Sequence, residues 1–456
     1  MPFANTLEMI GNTPLVEVTC FDTGISRLFL KLENQNPGGS IKDRIGLSMI
    51  EVAEREGKIR PGDTLIEATA GNTGLGLALV ASKKGYRLLL VIPDKMSQEK
   101  IMHLKALGAE IILTRSDVEK GHPEYYQDYA ARLAKEIPNS FFVDQFNNPA
   151  NPFAHETTTG PEIWDQMSHN VDAIAVGVGS GGTIAGLTRF FKKAKPSLEI
   201  ILADPVGSIL KDYIQTGKIG TAGSWLVEGI GEDFIPAQCD FDLVKAAYSI
   251  SDEESFETAR TLLKKEGILA GSSSGTLIAA AVRYAKSQKI SKNVVTFVCD
   301  SGNKYLSKMY NDYWMIDNGF IRKESYGTIL DLTTRKYSER EVVTVKKDDT
   351  ILTAYSRMKL YDISQLPVLE NGQIIGIIDE SDILLLATES KDGAFQSKVE
   401  SCMTRDLEYL SPDSSIESVL SILKKGMVVI VKDHKTFYGL ITRIDFLNYL
   451  RRKLSI

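Results

Sequence analysis

The chain has 456 residues, enough for two or three domains. Apolar residues make up 43% and charged residues 25%, with 36 glycines and 15 prolines, which excludes a collagen-like or largely disordered chain. The 53 basic and 59 acidic residues are spread along the chain and leave a net charge of -6, a balance that argues against nucleic acid as a partner.

No apolar run approaches the roughly 18 residues that a membrane span requires, and the N-terminus lacks the basic-then-apolar pattern of a secretory signal. Cys20, Cys239, Cys299 and Cys402 lie far apart without CxxC spacing, and the five histidines are equally scattered. Neither a disulfide framework nor a metal site is therefore expected, and a reducing cytoplasm is the expected compartment.

In chain order, a helix is expected to begin near Ile41 and a strand to cover Thr64–Glu67, followed by a helix over Gly74–Lys84. Buried strands are expected over Leu88–Ile92, Glu110–Thr114, Ala173–Val176, Ile200–Ala203 and Val294–Val298, with further helices over Gln98–Leu107 and Gly275–Ser287. Continuous apolar strands alternating with helices predict an α/β fold of mostly parallel sheets, with ligands at the carboxyl ends of the strands. This first domain is expected to span residues 1–321, and the polar stretch 322–339 to form a linker. Beyond it lies a weak internal repeat, with one copy over 340–390 and another over 399–456. Each copy reads as strand, helix, two strands, helix, and two such small units should pack together.

Four glycine-rich loops stand out. Asn36 to Arg44 leads a turn into a helix and places Lys42 at its mouth, where a partly desolvated amine can act as a nucleophile; the plainer alternative is a solvated lysine. Thr69 to Gly74 opens a helix after a strand and offers a carboxylate or phosphate cradle, or a simple N-cap. Gly177 to Thr183 also satisfies GxGxxG, with Asp204 about twenty residues on, so a dinucleotide fold must be weighed. No second mononucleotide-binding half accompanies it, and a phosphate nest accounts for the same glycines and hydroxyls. Gly271 to Gly275 satisfies GxSxG around Ser273, but only His434 follows, inside the repeats, so a hydrolase triad fails. A lysine with three small-residue cradles fits one kind of ligand: a phosphorylated aldehyde that needs a covalent amine, a phosphate nest and ring contacts.

These loops, together with Ile10-Gly11-Asn12-Thr13-Pro14-Leu15, make the region up to about residue 318 resemble the fold-type II pyridoxal-phosphate (PLP) enzymes of β-replacement, the cysteine synthase/cystathionine β-synthase family. The repeats resemble a pair of CBS regulatory modules, or Bateman domain. The resemblance implies two α/β subdomains, a homodimer, and amino-acid substrates. It also implies a reaction in which serine or O-acetylserine loses its β-substituent and the bound aminoacrylate adds the thiol of homocysteine. Val227-Glu228-Gly229-Ile230-Gly231, Asp204 to Ser208 and Asp300 to Tyr305 resemble the cystathionine-forming branch. Asn148 to Pro152 and Thr158 to Trp164 resemble the sulfhydrylases, which join O-acetylserine to sulfide.

Carried over residue by residue, the resemblance makes Lys42 the covalent amine and the proton carrier at the substrate α-carbon. Gly179, Ser180, Gly181, Gly182 and Thr183 would bind the phosphate, Asn72 the ring oxygen O3′, and Ser273 the pyridine nitrogen. Thr69, Ala70, Gly71, Thr73 and Gln145 would receive the substrate carboxylate. Two departures stand out: Ala70 replaces the serine of many relatives, and Glu232 replaces the usual tyrosine of animal synthases. With no cysteine- and histidine-bearing segment before the catalytic region, haem is not expected. In the repeats, Gly439, Thr442 and Asp445 fill the GxxTxxD pattern for an adenosyl ligand, either S-adenosylmethionine or an adenine nucleotide, whereas Asp379 stands at the threonine position of the first copy. The alternative is that Asp382 and Asp445 cap helices beginning at Ile383 and Phe446. Two rival classes remain at this level, a dehydrogenase and a catalytically inactive adenosyl sensor.

Overall fold

The computed structural model describes residues 2–69, 71–94, 98–118, 121–322, 326–333, 335–389, 393–434 and 436–454. The chain divides into two compact units, Met1–Tyr310 and Asn311–Ile456.

The first unit contains two sheets. Four parallel strands form one, in the order Glu110–Thr114, Arg87–Pro93, Thr64–Glu67, Ser140–Phe142. Six strands form the other, in the order Leu15–Val18, Arg27–Lys31, Asn293–Phe297, Ala173–Val176, Glu199–Pro205, Val244–Ile250, and only the first pair is antiparallel. The apolar runs become strands because they are covered on both faces: Thr64–Glu67, Ala173–Val176 and Asn293–Phe297 are buried along their whole length. The helix Ser272–Lys286 supplies Ile278, Ala281, Tyr284 and Ala285 to the core under the larger sheet. The helices Lys42–Arg55 and Asn72–Lys84 supply Ile45, Met49, Leu75 and Leu77 to the core of the smaller one.

Those last two helices touch backbone to backbone. A Cβ at Gly46 would lie 2.8 Å from the Gly76 carbonyl carbon, and one at Gly76 would lie 2.7 Å from the Lys42 carbonyl oxygen. Only glycine permits this approach, which ties the start of one helix to the second turn of the other.

In the second unit the repeat is visible as two three-stranded sheets of identical plan. One consists of Val345–Lys346, Gln365–Glu370 and Gln373–Asp379, the other of Tyr409–Leu410, Val429–Lys432 and Phe437–Ile441. In each, the first pair is parallel and the second antiparallel. Leu369, Ile374 and Ile377 of the first copy share a core with Ile430 and Phe437 of the second, so the two copies pack as expected of units too small alone. The stretch expected as a linker contributes Ile329 and Leu332, both fully buried, to the core of the second copy.

The helices expected from Ile383 and Phe446 begin three residues earlier, as Glu380–Glu389 and Arg443–Leu454. The reason is local. Asp379 N–H donates to Asp382 Oδ2 at 3.0 Å while Asp382 N–H donates to Asp379 Oδ1 at 2.9 Å, a reciprocal capping box. At the second helix, Thr442 donates to Asp445 Oδ2 through both its N–H, at 2.8 Å, and its hydroxyl, at 2.6 Å. The aspartates therefore occupy the third helical position, and Asp379 and Thr442 are the caps.

Candidate active site

In the first unit, loops from the carboxyl ends of strands in both sheets line a cavity of about 450 Å³. It joins Lys42, Thr69, Gly71, Asn72, Thr73, Gln145, Gly179, Ser180, Gly181, Thr183 and Ser273. Gly182 begins the helix Gly182–Ala194 beneath the nest. Ala70 lies outside the described residues. Asp204, the acid of the dinucleotide reading, is buried away from the cavity, and its Oδ2 accepts the backbone N–H of Lys211 at 2.8 Å.

Lys42 is the first residue of its helix. The turn before it is pinned to the chain after strand Asn293–Phe297: Ile41 N–H donates to the Cys299 carbonyl at 2.8 Å, and Ser301 N–H to the Gly39 carbonyl at 3.1 Å. Among the described residues no hydrogen bond or ion pair engages the Lys42 ammonium. Burial pushes its pKa below the usual lysine range, with Cys299 and Glu232 pulling weakly the other way.

The Gly177–Thr183 loop meets the N-terminus of a thirteen-residue helix, whose first N–H groups have no acceptor within the helix. Gly181 adopts φ +83°, and a Cβ at Gly179 would lie 2.6 Å from the Gly229 carbonyl oxygen, so both positions demand glycine. Asn151 Nδ2 donates to Ser180 Oγ at 3.0 Å, and Gln238 Nε2 donates to the Ser180 carbonyl at 2.6 Å. Behind Thr183 stands His155, fully buried, with Nε2 3.2 Å from Thr183 Oγ1 and Nδ1 2.9 Å from Thr159 Oγ1. Burial, with Lys42 and Arg44 nearby, pushes the imidazole well below its usual pKa, so it is neutral and bridges the two hydroxyls. Sequence reading missed His155, Asn151 and Gln238 because spacing alone places none of them near the loop.

Opposite, Thr73 Oγ1 donates to Gln145 Oε1 at 2.6 Å, which turns the Gln145 Nε2 donor elsewhere. Thr69 Oγ1 accepts the Gly71 N–H at 3.1 Å. Tyr126, Phe146, Trp225 and Glu232 complete the cavity wall. Burial, reinforced by Asp233, pushes the Glu232 carboxyl up to about 8, against the opposing pull of Lys42.

The donor set fits a phosphorylated aldehyde. It offers an unengaged amine of lowered pKa, a helix N-terminus with two hydroxyls and no carboxylate between Gly177 and Thr183, and an amide at Asn72. Ser273, 5% exposed, sits in the first turn of Ser272–Lys286 with its hydroxyl beside the Cys299 thiol.

In the second unit a separate cavity of about 520 Å³ is lined by both repeats, including Ser364 and Gln365 of the first and Thr442, Arg443 and Asp445 of the second, with Arg335. Thr442 and Asp445 thus share one cleft, with the Asp445 oxygen already committed to the helix cap. The four cysteines are unpaired. Among the described residues no helix is long and apolar enough to cross a membrane, and no cluster of three His, Cys, Asp or Glu side chains could hold a metal ion.

A sequence family described as "Pyridoxal-phosphate dependent enzyme" matches residues 6–300, and the CBS domain family matches residues 335–389 and 399–452. A cystathionine β-synthase of Dictyostelium discoideum is 38% identical over 466 residues, spanning 98% of this chain and 92% of that protein. A cysteine synthase of Staphylococcus aureus is 43% identical over 312 residues, spanning 67% of this chain and 96% of that protein. Among solved structures, an O-acetylserine-dependent cystathionine β-synthase from Helicobacter pylori superposes with a TM-score of 0.62 at 40% identity, covering 68% of this chain and 98% of that one. The geometry and these matches agree: the chain belongs to the fold-type II, PLP-dependent β-replacement enzymes of the cystathionine β-synthase and cysteine synthase family, and carries a C-terminal pair of CBS domains.

Proposed function

We propose that this enzyme joins serine or O-acetylserine to homocysteine and forms cystathionine. The observation that carries the choice of acceptor is Glu232, whose carboxyl lines the cavity without a hydrogen-bond partner among the described residues. An amino-acid acceptor brings an ammonium that such a carboxyl receives; sulfide brings none. Similarity along nearly the whole chain to the Dictyostelium synthase supports the same reading.

When bound, PLP supplies an electron sink for the charge that develops at the substrate α-carbon. Lys42 would be its covalent anchor and would move the proton at that carbon, its charged form disfavoured by burial. The Gly179–Thr183 nest holds the phosphate, with His155 orienting the Thr183 hydroxyl. Asn72 donates to O3′. Ser273 would present a hydroxyl rather than a carboxylate to the ring nitrogen. Thr69, Thr73, Gly71 and Gln145 orient the substrate carboxylate at the N-terminus of Asn72–Lys84. In the second unit, Thr442 and Asp445 take the ribose side of an adenosyl ligand that modulates the rate.

The test is the absorption spectrum of the purified protein during additions of serine, O-acetylserine and homocysteine in turn. A visible band that shifts with a donor and returns only on adding homocysteine supports cystathionine synthesis. The 43% identity to a cysteine synthase favours a second reading, in which O-acetylserine shifts the band and sulfide restores it with homocysteine inert. Lys42→Ala loses both the visible band and turnover; a yellow, active variant overturns the site.

A further inference from the structure

The loop following strand Asn293–Phe297 reaches both sides of the cavity. On one side it holds the turn that precedes Lys42, through the Cys299 and Ser301 backbone bonds and a β-bridge between Ser40 and Asp300. On the other it grips the side chain of Asn72. Lys304 Nζ donates to Asn72 Oδ1 at 2.6 Å, and Asn72 Nδ2 donates to Asp300 Oδ2 at 2.9 Å. The same Asp300 oxygen accepts the Tyr305 hydroxyl at 2.9 Å, and Asp300 and Tyr305 are buried.

The chemistry of these partners removes the usual ambiguity of an amide. A lysine ammonium can only donate and a carboxylate only accepts, so the oxygen of Asn72 must face Lys304 and its nitrogen must face Asp300. The second N–H of that nitrogen is then the group left for the cavity, and the carbonyl is never offered there. Without Lys304 the amide oxygen would lose its donor, and the side chain would be held by Asp300 alone, free to tilt out of line with a ligand's oxygen.

We propose that Lys304, together with Asp300, is a positioning residue that locks the Asn72 amide with its N–H toward the ring oxygen of the cofactor and keeps it in register with Lys42. This rests on the assignment of Asn72 to the cofactor made above. The lysine also polarises the amide, which makes the remaining N–H a stronger donor. Residues 300–305 thereby do more than close the sheet: one loop sets two cofactor contacts that lie about thirty residues apart in sequence.

The experiment measures PLP dissociation and the visible absorption band of the full-length holoenzyme and its variants. Lys304→Met is expected to weaken PLP binding about ten-fold or more and to alter the visible band, the size of effect that loss of one charge-assisted hydrogen bond produces. Lys304→Arg, which still only donates, restores both. Lys304→Met placed on Asn72→Ala costs nothing further, because the amide it orients is gone. Should Lys304→Met lose its fold by circular dichroism, Asp300→Asn reads the same lock from the other partner and is expected to weaken PLP binding likewise. Retention of wild-type affinity and band in the folded variants, or losses that simply add in the double variant, overturns the proposal and leaves the functional reading intact. Failure of the wild-type protein to bind PLP overturns both.

Discussion

Replacing Gly76 by alanine tests how far catalysis depends on the contact between the helices Lys42–Arg55 and Asn72–Lys84. The new methyl would sit 2.7 Å from the Lys42 carbonyl oxygen and 3.1 Å from the Asp43 Cα, whereas ordinary contact begins at 3.4 Å. Both obstacles are backbone, so no flexible side chain can give way, and the helices must separate by about 0.7 Å. Overpacking of this kind costs about 1–3 kcal/mol, while alanine in place of glycine inside a helix returns about 1 kcal/mol. The net loss of stability is therefore small, roughly 0–2 kcal/mol. The effect on rate is not small, because the group displaced is the backbone of Lys42 itself, and a misplacement of about 1 Å can cost about 100-fold in rate. Gly76→Ala should unfold within a few degrees of the wild type yet lose at least about ten-fold in kcat. Gly220→Ala, where nothing lies within 4 Å, is the control and should match the wild type in both. Steady-state kinetics beside thermal denaturation decides the matter: a Gly76→Ala enzyme with wild-type kcat would refute the reasoning.

Two further outcomes follow from buried charge. Arg44 is bound by Glu33, fully buried, at 2.7 Å and by Glu162 at 2.7 Å, and Lys31 shares Glu162. Arg44→Met leaves Glu33 without its cation and should cost about 3–5 kcal/mol in urea unfolding, whereas Arg27→Met, which breaks an exposed pair with Glu17, should leave the urea midpoint close to that of the wild type. Equal costs would contradict the burial argument. Glu67, 1% exposed, has its carboxyl pushed up to about 8 by burial. Its folded pKa lies above its unfolded value near 4.5, so the folded state holds a proton that the unfolded state has lost, and stability falls as pH rises between those values. Glu67→Gln carries no such proton, and its melting temperature should gain on the wild type steadily from about pH 5 to about pH 8; a constant difference across that range would show that Glu67 does not titrate there.

Much of this arrangement was legible in the sequence because it is local. Apolar runs became the expected strands with shifts of a residue or two, and the Thr69–Gly74 and Gly177–Thr183 loops marked strand-to-helix turns where backbone N–H groups converge, whereas Gly271–Gly275 joins the helix Asp252–Glu266 to Ser272–Lys286. The departures have physical causes. The helices at Glu380 and Arg443 start early because each aspartate acts from the third helical position instead of the cap. His155 reaches Thr183 across 28 residues and Lys304 reaches Asn72 across 232, contacts that exist only once separate strands have assembled. A lone histidine and a lone lysine carry no periodic signal, so nothing in their surroundings could announce those partners.

The burial of Ile329 and Leu332 in the core of the second CBS domain has a consequence for how such a unit can be gained or lost. The chain supplies part of the second domain, leaves to build the first, and returns to finish the second. The sequence repeat is therefore not the heritable brick. A cut placed between the two repeats, or just before the first, would strip one hydrophobic wall from the domain that remains intact on paper. Only a segment that starts upstream of residue 329 carries the core of the second domain complete.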